Sequence, residues 1–151
     1  MTNPHCDFCT RDGGPVLYRD DFLRVVLADE PAYPGFCRVI VNRHVRENGD
    51  LAPEERRRLM DAVFATEDEV RRATGAFKMN VASLGNVMPH VHWHVIPRRG
   101  DDPRFPDPVW GPPRREAAPP AFDATAVERL AAAIALRISK AATGDSSAAT
   151  L

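Results

Sequence analysis

A mainly antiparallel α+β fold is predicted for this 151-residue chain by three observations. Five short apolar runs rich in Val, Ile and Phe are separated by Gly/Pro turns. Two longer stretches carry apolar residues at helical spacing. No segment repeats, so the order β-β-β-α-β-β-α describes one domain rather than an array.

The first strand is predicted at Val16–Tyr18, after the turn Asp12-Gly13-Gly14-Pro15. Phe22–Asp29 and Phe36–Asn42 follow as an antiparallel pair, divided by Pro31, Pro34 and Gly35. The main helix is predicted over Pro53–Thr74. Pro53 suits the first helical position, Glu54 and Glu55 favour the positive helix end, and Gly75 suits the stop. Leu59, Met60, Val63, Phe64 and Val70 form its expected buried stripe, while Glu54, Arg57 and Arg58 form a solvated face. Phe77–Ala82 and His90–Ile96 are the last two strands. A Pro-, Arg- and Asp-rich segment from Pro97 to Pro120 follows, with Phe105 and Trp110 as expected anchors. The second helix is expected at about Thr125–Lys140, with Val127, Leu130, Ala131, Ile134 and Ile138 inward and a Thr125/Glu128 capping box. The expected domain covers 1–141: a core at about 6–111, then a C-terminal segment and helix over 112–141. Residues 142–151 are expected to be a disordered tail.

Composition excludes several classes of function. The chain is 44% hydrophobic and 27% charged with a net charge of −1, so no global footprint for a nucleic-acid polymer or membrane is present. No apolar run reaches transmembrane length and the polar start is no signal peptide, so the expected location is cytoplasmic. Three cysteines, two of them close together, do not make a disulfide framework. Cys37, within a strand, is expected to be an inert buried thiol.

The decisive feature is His90-Val91-His92-Trp93-His94. Successive strand side chains point to opposite faces, so all three imidazoles share one face while Val91, Trp93 and Val95 face the core. Four readings are open on the residues alone. The row can be an accident of surface composition. It can ligate a catalytic metal, with Asp101 or Asp102 as carboxylate partners. It can act by nucleophilic catalysis, one neutral ring attacking phosphorus and a second binding phosphate or assisting the leaving group. It can bind a nucleotide without turnover.

The segment Asn86-Val87-Met88-Pro89-His90-Val91-His92-Trp93-His94-Val95-Ile96-Pro97-Arg98 resembles the signature of the histidine triad (HIT) family. It is similar to a bacterial branch with Leu-Gly-Asn before the triad and Pro-Arg after it. The likeness extends through Pro34-Gly35, Arg38-Val39-Ile40 and His44-Val45, and on through Asp101-Asp102-Pro103, Phe105-Pro106 and Trp110. The resemblance implies a HIT-like five-stranded antiparallel sheet with one main helix and a C-terminal helix, often paired as a homodimer. It implies a nucleotide hydrolase or nucleotidyltransferase acting at the α-phosphate of a dinucleoside polyphosphate or nucleoside phosphoramidate. His92 would be the nucleophile, His94 would contact phosphate and assist the leaving group, and His90 would orient the site or serve a metal. Asn80 and Asn86 would contact the nucleotide, and the ribose-binding acid falls at Ala28 or, with a one-residue shift, at Asp29. On the residues themselves, Arg98 and Arg99 leave the histidine strand, where they can reach a polyphosphate tail bidentately or lie solvated on the surface. Relatives place Ser or Thr three residues before the first histidine, where this chain has Val87. A nucleotide-binding or scaffolding protein with little activity is the alternative.

Cys6-x-x-Cys9 alone is half of a zinc site. In several triad relatives, and in the similar galactose-1-phosphate uridylyltransferases, such a pair joins two histidines, which here correspond to His44 and His90. A site of Cys6, Cys9, His44 and His90 would hold a structural zinc. No organic cofactor is expected.

Overall fold

The computed structural model of the protein describes residues 2–144. A single helical turn, α1 (Asp7–Thr10), precedes β1 (Val16–Arg19), β2 (Leu23–Leu27) and β3 (Cys37–Val41). A 3₁₀ turn at Asn48–Asp50 leads into α2 (Pro53–Thr74), followed by β4 (Lys78–Ala82), β5 (His92–Arg98) and α3 (Ala124–Ala142). The five strands form one antiparallel sheet in the order β1-β2-β3-β5-β4. The five-stranded α+β expectation is met. Among the described residues no helix is long and apolar enough to cross a membrane.

Alternation divides the sheet into two unlike faces. Leu23, Val25, Cys37, Val39, Val41, Met79 and Val95 point to the helices and pack with Leu59, Ala62, Val63 and Val70 of α2 and Leu130, Ile134 and Ile138 of α3. Burying these aliphatic side chains contributes about 1.5–3 kcal/mol each. Cys37 sits within this core, where burial pushes its thiol up to about 12, so it is inert. Trp93 leans on the same core and donates its indole N–H to Asn48 Oδ1 at 3.0 Å. The opposite face carries Arg24, Arg38, Ile40, His92, His94, Ile96 and Arg98, because antiparallel partners share a face: Ile40 lies opposite His92 and Arg38 opposite His94.

The predicted ends of α2 hold, with Glu55 accepting the Ala52 N–H at 2.9 Å and Gly75 stopping the helix at φ 62°. Its stripe is corrected in one place. Phe64 is 55% exposed, and Thr66 takes the inward position, its hydroxyl satisfied by the Ala62 carbonyl at 2.8 Å. The cap of α3 differs as well: Asp123 accepts from the Ala126 N–H at 2.9 Å, so the helix starts one residue before Thr125 and the expected Thr/Glu box is not its cap. Ala142 ends α3, so the expected tail from 142 is still helical at its first residue, and 145–151 lie outside the described residues.

Two local departures position the site. The turn α1, not anticipated from the sequence, is capped by Cys6 and carries Cys9, and it is tied to the sheet by Arg24, whose guanidinium donates to the Phe8 carbonyl at 2.7 Å. The last strand begins at His92 rather than His90. Val91 donates to the Val45 carbonyl at 2.7 Å and accepts from the Val41 N–H at 3.2 Å, so the lead-in follows the chain leaving β3.

Candidate active site

The three histidines divide into two environments. His90, on the lead-in, donates through Nε2 to the Val41 carbonyl at 2.6 Å. A carbonyl only accepts, so the proton is on Nε2 and the lone pair on Nδ1. That lone pair faces Cys6 Sγ at 3.3 Å and Cys9 Sγ at 3.7 Å, and His44 Nδ1 is 3.5 Å from Cys9 Sγ. The ligand atoms of Cys6, Cys9, His44 and His90 all lie within 4.8 Å of one another. Thiolate and imidazole at the edge of a zinc tetrahedron are separated by about 3.6 Å, so the donor types and spacings here fit such an ion. The cluster can hold a metal. The same backbone carbonyl that fixes the His90 ring sets its tautomer for ligation.

His92 is held by the next step of the chain. Its Nδ1–H donates to the His90 carbonyl at 2.6 Å, which leaves Nε2 with the lone pair. The ring is buried, lying edge-on to Phe8 at 4.9 Å between centroids and to His94 at 4.8 Å. Burial is the main cause that holds its pKa below the usual histidine range, with the Arg38 charge adding to it. A neutral imidazole with a free Nε2 is the nucleophilic form.

His94 is the open member. Its Nδ1 is the buried side-chain nitrogen without a hydrogen-bond partner among the described residues. Leaving such an atom unsatisfied costs about 1–3 kcal/mol, a cost that marks functional sites more often than ordinary core. Burial first, then the repulsion that would arise if His92 were protonated as well, and the Arg38 charge, hold its pKa at about 4. Phe36 packs edge-on to it at 5.7 Å and Trp110 at 5.0 Å. Trp110 is 52% exposed, so besides anchoring its loop it walls the site. It lines a groove of about 670 Å³ along the edge of β4 with Asn80, Ala82, Ile96 and Val109, and Ala82 pairs with His94 across the strands.

The remaining expected contacts lie apart from the row. Arg98 is 1% exposed and fully engaged. It donates to Asp102 Oδ2 at 2.7 Å and Oδ1 at 3.0 Å, to Asn80 Oδ1 at 2.8 Å and to the Asp107 carbonyl at 2.9 Å. Arg98 and Asn80 thus hold each other and the 99–111 loop rather than presenting donors to a polyphosphate. Asp102 also accepts the Arg104 and Phe105 N–H groups, so it is no carboxylate partner for a metal on the row. Asp101, exposed, pairs with Arg99. Asn86 is exposed on the loop before the row, and Asp29 is exposed beyond β2, beside a groove lined by Tyr33, Pro34, Pro120 and Phe122. Sequence reasoning passed over Phe8 and gave Arg38 no role. The alternation Phe36-Arg38-Ile40 placed Arg38 on the outer face, but its alignment with His94 depends on strand register, which composition does not reveal.

Comparison with known proteins agrees with this arrangement. The family model described as the HIT domain matches residues 13–101. The bis(5'-nucleosyl)-tetraphosphatase [asymmetrical] of Schizosaccharomyces pombe is 30% identical over 95 residues, a match covering 60% of this chain and 52% of that protein. This chain thus spans about half of that relative's length. Among solved structures, a histidine triad protein from Bradyrhizobium japonicum is 28% identical with a TM-score of 0.68, covering 84% of this chain and 92% of the other. A histidine triad protein from Marinobacter aquaeolei VT8 is 26% identical with a TM-score of 0.69, covering 93% of this chain and 98% of the other.

Proposed function

The chain belongs to the HIT domain family, and we propose that it hydrolyses or transfers nucleotidyl groups through a covalent intermediate on His92. The carrying observation is the 2.6 Å bond from His92 Nδ1–H to the His90 carbonyl. It directs the lone pair of Nε2 outward and steadies the ring when positive charge develops on it. Nε2 attacks the α-phosphorus, a P–N bond forms, and the bond to the leaving group breaks with its electron pair. The leaving group takes a proton from solvent or from His94. Water then attacks phosphorus, the P–N bond breaks and its pair returns to Nε2. The products are a nucleoside monophosphate and the released group, with one water consumed. An acceptor alcohol or phosphate in place of water gives transfer.

His94 reads as the phosphate contact through the Nε2 side of its ring, since Nδ1 is shielded and has no protein partner; an anionic substrate beside the ring raises its proton affinity from the depressed value of the free protein. The substrate class supported by the distant tetraphosphatase relative is a dinucleoside polyphosphate; a nucleoside phosphoramidate fits the same chemistry. Cys6, Cys9, His44 and His90 would hold a structural zinc, which when bound cross-links the N-terminal turn to the lead-in of β5. A homodimer is part of the proposal and rests on the family likeness. A binding protein with little activity is the second reading, favoured by Val87, which is 95% exposed and offers no hydroxyl.

Steady-state assay on diadenosine polyphosphates and adenosine phosphoramidate separates the two. Turnover by the wild type that is absent in His92→Ala supports the enzyme. Tight nucleotide binding without turnover of any conjugate supports the binding protein.

A further inference from the structure

Four arginines stand on the outer face of the sheet, and three of them are employed, Arg19 at the edge by its ion pair with Asp12. Arg24 donates to the Asp12 carbonyl at 2.9 Å, the Phe8 carbonyl at 2.7 Å and Asn42 Oδ1 at 3.2 Å. Arg98 is locked to Asp102 and Asn80. Arg38 is different. It lies directly opposite His94 in the ladder between β3 and β5. Among the described residues its guanidinium makes one hydrogen bond, a long contact of 3.5 Å to the Gly13 carbonyl, and it sits 5.7 Å from the centre of the Phe36 ring, the ring that also touches His94. No carboxylate among the described residues lies within ion-pair distance of it.

Burial strips hydration from this half-buried guanidinium, and the charge of Glu30 offsets that only from beyond ion-pair distance, so an anion arriving from outside would be a closer partner than the protein supplies. The arriving anion must lie next to His94 and the nucleophile, because that is where the residue stands. Its planar fork suits two phosphate oxygens at once. We propose that Arg38 is the phosphate-binding cation of this site, its guanidinium contacting the anionic oxygens of the nucleotide conjugate held at His92. This rests on the nucleotidyl reading above and deepens it: the site recognises its substrate by phosphate charge from β3, a role that exposed Val87 does not fill.

The test is equilibrium binding of AMP and GMP against adenosine and guanosine, with wild type and Arg38→Gln. Loss of one charge-assisted bidentate contact should weaken the monophosphates about 10- to 100-fold, leaving nucleoside affinity unchanged and the melting temperature no lower. Arg38→Lys, which keeps the charge and loses the fork, should recover part of the monophosphate affinity. Unchanged monophosphate binding in Arg38→Gln, or an equal loss for monophosphate and nucleoside, overturns the assignment of Arg38 and leaves the proposed activity standing. A wild-type protein that binds none of the four and turns over no nucleotide conjugate overturns both. Should Arg38→Gln fail to fold, Arg38→Lys decides alone: a selective loss for the monophosphates supports the proposal, and no selective loss contradicts it.

Discussion

The two ends of the histidine row differ in one respect that separates structure from chemistry. At His90 both ring nitrogens are engaged, one by the Val41 carbonyl and the other by the cysteine cluster. At His94 a buried nitrogen has no partner. Identical residues two pleats apart therefore do unlike work. The satisfied end fixes the backbone whose carbonyl orients His92, and the unsatisfied end is the one assigned to phosphate under the proposed function. The same contrast separates Arg98, locked inside the protein, from Arg38, which has no carboxylate within ion-pair distance among the described residues.

The comparison breaks most sharply at its centre. His92→Ala should lower turnover of a nucleotide conjugate by roughly 10⁴-fold or more while leaving nucleotide affinity within a few-fold, measured by single-turnover kinetics and equilibrium binding. Replacing Asp102 by Ala tests the locked arginine. It strands Arg98 as an unpaired buried charge and should destabilise the fold by about 3–5 kcal/mol in a denaturant titration. Loss of activity in that variant should follow loss of folded protein rather than precede it.

Metal removal addresses the satisfied end. If the cluster is a structural tie, a strong chelator should lower the melting temperature by roughly 10 °C and release zinc at about one per chain, and re-addition should restore the melt. Chelation that abolishes turnover at unchanged melting temperature would instead favour a catalytic metal.

The smallest effect is expected at the open end. His94 has a folded pKa of about 4 against 6.5 when unperturbed, lowered by burial, by the repulsion that would arise if His92 were protonated as well, and by the Arg38 charge. The unfolded chain therefore binds more protons between those values. Its contribution to stability is complete above pH 6.5 and is lost as pH falls towards 4. His94→Phe should flatten that part of the stability–pH curve, read from urea midpoints, and an unaltered slope would contradict the burial argument.

Much of this was legible before any coordinates. The limits of α2 match the Pro53 start and Gly75 stop because local chemistry sets helix ends. The strand row was legible because alternation is a local rule. Register was not: nothing in Phe36–Asn42 says which of its residues faces His94, and that pairing gives Arg38 its place. The engagement of Arg98 was not legible either: it continues the alternation of the row, but its partner Asp102 is reached only when the following loop turns back. Phe64 shows the limit of periodicity, since helical spacing near a sheet edge leaves a large apolar side chain uncovered.

Denaturing mass spectrometry of a base-quenched reaction kept alkaline, because the P–N bond of a nucleotidyl-histidine is acid-labile, tests the central claim most directly. Wild-type protein mixed with a dinucleoside polyphosphate should carry a nucleotidyl mass adduct that maps to the peptide containing His92 and is absent from His92→Ala. Rapid turnover with no adduct at any quench time, or an adduct on another residue, would contradict it.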